Sequence, residues 1–331
     1  MKQRAFEEEH EARWIAFAER VDAVDALRGR RPSGDARDEM AAFPDAYRKI
    51  CRDLAVAIER RYSPGLVDRL NRLALDGHRI LYVHDTNLAR RAARFFARDF
   101  PRAVRRDWRS VAVASLLFYG VGALIAAFVT YAPELIYSVM SPEEVRSFEA
   151  MYDPAAEHIG TDRAASGDVY MFGFYIMNNI GIAFRAYAGG LLFGIGSALI
   201  LFLNGISFGA LSAHVAHIGF ERPFFSFVIA HGAFELTAIV LAGAAGLGLG
   251  WSLVAPGPRS RLASLQRAAR ESMTIVWGVF AMLVVAAVVE AFWSSKGNIA
   301  AEIKLVVGAG CWILVLAYLL FAGRSRAGHI S

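Results

Sequence analysis

His231 and Glu235 stand four residues apart inside an apolar stretch that runs from Phe224 to about Leu253. At that spacing both side chains lie on one face of a helix. A carboxylate in hydrocarbon costs at least a few kcal/mol, so the chain must satisfy Glu235 internally or use it. Asn178, Asn179, Arg185, Asn204 and Glu290 also fall within long apolar runs. Counting 1.5 Å per helical residue, the asparagines, His231 and Glu235 come out roughly 10–16 Å below the outer boundary, with Glu290 nearer to it. One expectation follows: Asn178, Asn179, Asn204, His231, Glu235 and Glu290 form a polar cluster in the outer half of a membrane domain, where mutual hydrogen bonds lower the cost of each group.

Three chemistries compete for such a cluster. A network that locks helix against helix is favoured, since interhelical polar contacts are a normal device of membrane bundles. A path for protons, ions or a small solute comes second. A metal site comes third, because His-x3-Glu supplies only two ligands and lacks the His-Glu-x-x-His pattern of zinc proteases. No metal or cofactor is therefore expected. No catalytic residue is expected either: Gly194-Ile195-Gly196-Ser197 only superficially hints at a Gly-x-Ser-x-Gly elbow. An intramembrane hydrolase is the distant alternative. No phosphate-binding loop is present.

The elements that must position these residues are helices. The chain has 331 residues, of which 56% are hydrophobic, and a mean hydropathy of +0.36. The apolar residues are unevenly placed, which implies a polar part followed by a membrane part. Residues 1–89 read as a small cytoplasmic helical bundle. Phe6, Trp14, Phe17, Val21, Val24 and Leu27 make one helical stripe, broken at Arg31-Pro32-Ser33-Gly34. A second helix is expected from about Asp45 to Tyr62. Ser63-Pro64 starts a third, with a break near Gly77 before a further helix through Leu81, Tyr82 and Leu88 to about Arg98. Residues 90–110 form a basic amphipathic segment. Arg94, Arg98, Arg102, Arg105, Arg106 and Arg109 alternate there with Phe95, Phe96, Phe100, Val104 and Trp108, which suits a headgroup layer.

The membrane domain, 111–331, is expected to cross about six times, at about 111–131, 170–187, 190–213, 224–252, 273–291 and 303–322. The acidic segment 132–169 forms an external loop. Arginine concentrates before the first span, in the exit loop at Arg259, Arg261, Arg267 and Arg270, and at Arg324 and Arg326. The positive-inside rule then places both termini in the cytoplasm. Residues 170–213 exceed one crossing yet barely fit two, and Arg185 with Gly189-Gly190 marks a tight inside turn between them. The opening residues, with Glu7-Glu8-Glu9, do not read as a cleaved signal peptide. The net charge of +5 is arginine facing a membrane surface, with no nucleic-acid signature. Cys51 and Cys311 offer no metal spacing. Small residues recur every four positions at Gly190/Gly194, Gly205/Gly209 and Gly246/Gly250. That spacing lets helices approach backbone to backbone, within the chain first of all, with a homo-oligomer left open.

The segment His231-Gly232-Ala233-Phe234-Glu235-Leu236-Thr237-Ala238-Ile239, continued by Ala242-Gly243-Ala244-Ala245-Gly246-Leu247, resembles the signature of the stage II sporulation protein M family. Asn178-Asn179, Asn204-Gly205 with Gly209, and Val289-Glu290-Ala291-Phe292 fit the same pattern. The N-terminal part, with Tyr47-Arg48, Asp53-Leu54-Ala55, Leu70-Asn71, His78, Leu81-Tyr82 and Phe100-Pro101 in order, resembles the longer members. The resemblance implies a multi-pass prokaryotic plasma-membrane protein. The family namesake is a membrane scaffold for two cell-wall-degrading enzymes during engulfment in sporulation. For this chain it implies a non-catalytic scaffold or assembly component, linked to the cell envelope, with protein partners in membrane or envelope. The competing reading is a transporter or permease subunit that uses the polar cluster together with a separate ATPase or proton coupling.

Overall fold

The computed structural model describes residues 2–26, 35–82, 88–154 and 165–324. The described residues are helical, without strands. They divide into two compact units, Met1–Arg91 and Ala92–Ser331.

The first unit holds α1 (Gln3–Ala26), α2 (Asp35–Glu59) and α3 (Pro64–Tyr82). The stripe read from the sequence is its core: Phe6, Trp14, Phe17, Val21 and Val24 are buried together with Phe43, Ile50, Leu66 and Leu70. Asp53 is buried among them and accepts from Trp14 Nε1 at 2.8 Å and from Arg13 Nη2 at 2.8 and 2.9 Å. The second helix starts earlier than expected, at Asp35, and carries Pro44 in its interior. The break expected near Gly77 does not occur. Gly77 lies inside α3, where a Cβ would sit 2.6 Å from the Tyr47 ring and 2.7 Å from that of Phe17. The glycine makes room for aromatic packing instead of ending the helix. The break expected at 31–34 lies outside the described residues, as does the 83–87 stretch of the helix expected through Leu81, Tyr82 and Leu88.

The second unit begins in α4 (Leu88–Arg94) and continues through a π turn (Phe95–Asp99) into α5 (Phe100–Arg106). The first span is α6 (Trp108–Ser115), a π turn (Leu116–Gly120) and α7 (Val121–Tyr131). After a 3-10 turn, Pro133–Ser138, comes the short α8 (Pro142–Tyr152). Ser141 and Glu144 close a reciprocal capping box at its start. Then follow α9 (Ala165–Ala188), α10 (Ile195–His217), α11 (Glu221–Val254), α12 (Arg261–Val289) extended by a π turn (Glu290–Ser294), and α13 (Ala301–Phe321). Among the described residues, five helical stretches are long and apolar enough to cross a membrane: Trp108–Tyr131, Ile195–His217, Glu221–Val254, Arg261–Ser294 and Ala301–Phe321. The segment expected at 170–187 falls outside this set. It is nonetheless a continuous 24-residue helix, α9, packed on α10, α11 and α12.

The turn at Gly189-Gly190 is longer than the sequence suggested. A 3-10 turn at Gly189–Leu191 leads to Phe193 and Gly194 at positive φ, so α10 starts at Ile195 and not at 190. The central helix is α11. It packs on α6, α9, α10, α12 and α13, and 61% of its most apolar window is buried, against 17% for the first span.

The glycine pairs meet one another within the chain. A Cβ on Gly190 would lie 2.1 Å from Gly246 O, and one on Gly250 2.1 Å from Gly194 N. One on Gly209 would lie 2.1 Å from Gly122 O, and one on Gly205 2.5 Å from Phe118 O. These faces are filled by intramolecular backbone contact and are not free for a second copy.

Candidate functional site

Four elements of the second unit build the polar site. His231 and Glu235 come from adjacent turns of α11. Glu290 opens the π turn that ends α12, and Ser294 closes it. Asn178 and Asn179 come from α9, and Lys304 from the first turn of α13. Each of His231, Glu235 and Glu290 offers a nitrogen or carboxylate oxygen, and these atoms all lie within 4.8 Å of one another. His231, Glu290, Asn179, Ser294 and Lys304 are buried, and Glu235 is partly buried.

The surroundings hold these groups in place. His231 Nδ1 lies 3.1 Å from Ser294 Oγ, and the ring packs edge-on against Phe227 at 5.3 Å between centroids. The Asn179 amide is the side-chain hydrogen-bond partner of Glu235, and Asn179 Oδ1 accepts from Asn178 Nδ2 at 3.0 Å. Lys304 Nζ donates to the Ser294 carbonyl at 2.8 Å. Glu290 Oε2 is buried and has no hydrogen-bond partner among the described residues. Tyr152 of α8 packs beside the site, its ring tilted against Phe148 and edge-on to Phe224 and Phe227. Burial pushes its phenol pKa up, and the charges of Glu290 and Tyr175 add to the shift.

The expected cluster is thus assembled from Asn178, Asn179, His231, Glu235 and Glu290, but Asn204 stands apart from it. Its Nδ2 donates to Ile200 O of its own helix at 2.8 Å, and it lines a separate cavity of about 330 Å³ with Arg185 and Ile182. Sequence reasoning missed Ser294 and Lys304. The signal for Lys304 was a lysine one turn into an apolar helix; a serine at a helix end carries no such signal. Ser197 donates to Ala186 O at 2.6 Å and joins α10 to α9.

The basic residues expected at the membrane surface divide into two groups. Arg102 donates to Gly323 O at 2.6 Å, and Arg105 to Leu319 O and Ala322 O at 2.6 and 2.7 Å. These two cap the C-terminal carbonyls of α13. Arg106 pairs with Asp107. Arg94, Arg98 and Arg109 are exposed, and Arg109 lies over the Trp108 ring. The apolar side of α5 is not a lipid-facing stripe: Phe100, Ala103 and Val104 belong to the main core of the unit.

Toward the acidic loop, His214 of α10 bonds Glu149 of α8 through Nε2 at 2.7 Å. His214 is buried and ties the loop helix to the bundle.

Comparison with known families agrees with this architecture. The model of the family described as stage II sporulation protein M matches residues 113–295. A domain of unknown function, DUF8413, matches residues 4–83. No curated protein and no solved structure matches the chain.

Proposed function

The chain belongs to the stage II sporulation protein M family, whose model covers more than half of it, and we propose that it is a non-catalytic scaffold or assembly component of the plasma membrane, linked to the cell envelope. The observation that carries the reading is the joining of a family membrane unit to a second compact helical unit with its own family match. A scaffold needs folded surfaces beyond the lipid, and the chain has two: the α1–α3 bundle and the capped helix α8 with its surrounding acidic segment. Both termini are assigned to the cytoplasm, on the side of Arg259, Arg261, Arg267 and Arg270. The acidic segment then faces outward, toward envelope partners.

Light crosslinking at native abundance, purification in mild detergent and identification of stoichiometric companions tests this. Wall-modifying enzymes or other membrane proteins in fixed ratio support it, and recovery as a homo-oligomer alone counts against it. In the same reading Glu235→Gln lowers assembly or yield.

One observation favours a second reading. Three ionisable side chains from two helices converge in the apolar interior, as in proton- or cation-handling permease subunits. That reading requires a stoichiometric ATPase partner or pH-dependent flux in liposomes that is lost in Glu235→Gln. Flux equal to that of empty liposomes, with the partner present, removes it.

A further inference from the structure

We propose that His231, Glu235 and Glu290 bind one divalent transition-metal cation of the Zn²⁺ class, which ties α11 to the end of α12 inside the membrane unit. The sequence offered only a His-x3-Glu pair, too few ligands for a site. The fold supplies the third from 55 residues further along the chain and brings all three donor atoms within 4.8 Å of one another.

Three further observations point to a cation. The first is charge. Two carboxylates this close cannot both ionise without a counter-charge. A divalent cation neutralises both, which is the arrangement an apolar interior tolerates. The buried ammonium of Lys304 is directed to the Ser294 carbonyl. The Tyr152 phenol is close enough to Glu290 to feel its charge, and Tyr175 is a further neighbour of Tyr152. The second is the unmet acceptor: Glu290 is 8% exposed, and its Oε2 is buried without a partner among the described residues. A proton shared between the carboxylates would answer that atom, but would give the imidazole beside them no role.

The third is the outer shell. Metal-binding histidines hold their second ring nitrogen in a hydrogen bond, and ligating carboxylates are themselves hydrogen-bonded. Here Ser294 Oγ meets His231 Nδ1 and the Phe227 carbonyl is a further partner of the ring, and Asn179 is the partner of Glu235. One nitrogen and two carboxylates suit Zn²⁺ and its neighbours in the first row, with room for a further ligand. The inference is independent of which partners the protein assembles.

The test uses full-length, tag-free protein in detergent, stripped with chelator, incubated with Zn²⁺ and desalted. The expected content is about one Zn²⁺ per chain by elemental analysis, with a rise in unfolding temperature on Zn²⁺ addition. Glu290→Gln and Glu235→Gln lower the content at least fivefold and lose the thermal response, while His214→Ala keeps both. X-ray absorption at the zinc edge of the wild type shows a shell of nitrogen and oxygen with a single imidazole, a readout that needs no variant to fold. Wild-type protein that retains no Zn²⁺ overturns the proposal. So does a shell with sulfur or two imidazoles, or full metal content in a folded Glu290→Gln protein.

Discussion

Adding one methyl group at Gly190 tests the backbone-to-backbone packing of the turn before α10 against α11. In Gly190→Ala the new carbon would sit 2.1 Å from Gly246 O, 2.7 Å from its carbonyl carbon and 2.8 Å from its Cα. Carbon–oxygen contacts settle near 3.3 Å, so the two segments must part by roughly 1.2 Å. Only backbone lies on the far side, and no side chain can swing away. A gap of this order forfeits about half of each dispersion contact along the seam, and overpacking of this kind costs about 1–3 kcal/mol. The rigid opponent places Gly190→Ala near the upper end, at ~3 kcal/mol, which for a unit of this size lowers the unfolding temperature by roughly 6–12 °C.

The assay is thermal unfolding of the detergent-purified protein followed by tryptophan fluorescence. Gly248→Ala is the control, because a Cβ there meets nothing within 4 Å, and alanine is the better helix former. Gly250→Ala meets Gly194 N at 2.1 Å and should behave like Gly190→Ala. The double variant should be less than additive, since one separation relieves both clashes. A Gly190→Ala protein melting within 2 °C of wild type, or as impaired as Gly248→Ala, refutes the packing.

Other perturbations separate other contacts. Asp53→Ala leaves Trp14 Nε1 and Arg13 without their acceptor and should destabilise the first unit by about 3 kcal/mol, read as faster amide exchange across α1 and α2 with α11 unchanged. Arg105→Ala removes two carbonyl caps from α13; a loss of ~1 kcal/mol should show as fraying of residues 315–322 in hydrogen exchange. The backbone N–H and hydroxyl of Ser141 hold the Glu144 carboxyl below its ordinary 4.5. Its contribution to α8 is therefore complete above that value and disappears as pH falls through the lower, folded value. Exchange protection in α8 should fall on acidification in the wild type, and Ser141→Ala should remove that step.

The helices and most spans were legible because hydropathy and 3.6-residue periodicity follow from the chain's own geometry. The first-unit core from Phe6 to Val24 is an instance. His231 and Glu235 were legible together for the same reason, being one turn apart. Depth along the membrane normal ranked Asn204 with them, but depth says nothing about rotation around a helix axis, and Asn204 faces Arg185. The arginines of α5 show another gap. Capping a carbonyl and meeting a headgroup demand the same residue type, so only the position of the α13 C-terminus separates Arg102 and Arg105 from their exposed neighbours. Gly77 was taken for a break because a helix-interior glycine is costly; two aromatic rings from other helices required it.

The π turns explain why the polar contacts fall where they do. Each lets the chain present carbonyls that a straight α-helix would keep to itself. In the turn at Phe95–Asp99, Phe96 O accepts from Tyr318 of α13 at 2.6 Å. At Leu116–Gly120, the carbonyls of Leu117 and Phe118 lie against Gly205 of α10. At Glu290–Ser294, Ser294 O accepts from Lys304 of α13. Two of the three therefore grip α13, one near each end, and Arg102 and Arg105 add to the grip at its C-terminus. That helix buries only 22% of its most apolar window, so packing alone holds it weakly and directed polar contacts supply the register. The last π turn does two tasks at once: it anchors α13 through Ser294 O and orients His231 through Ser294 Oγ. Loosening α13 should therefore reach the His231–Glu235–Glu290 site through the Ser294 backbone, which couples the polar site to α13.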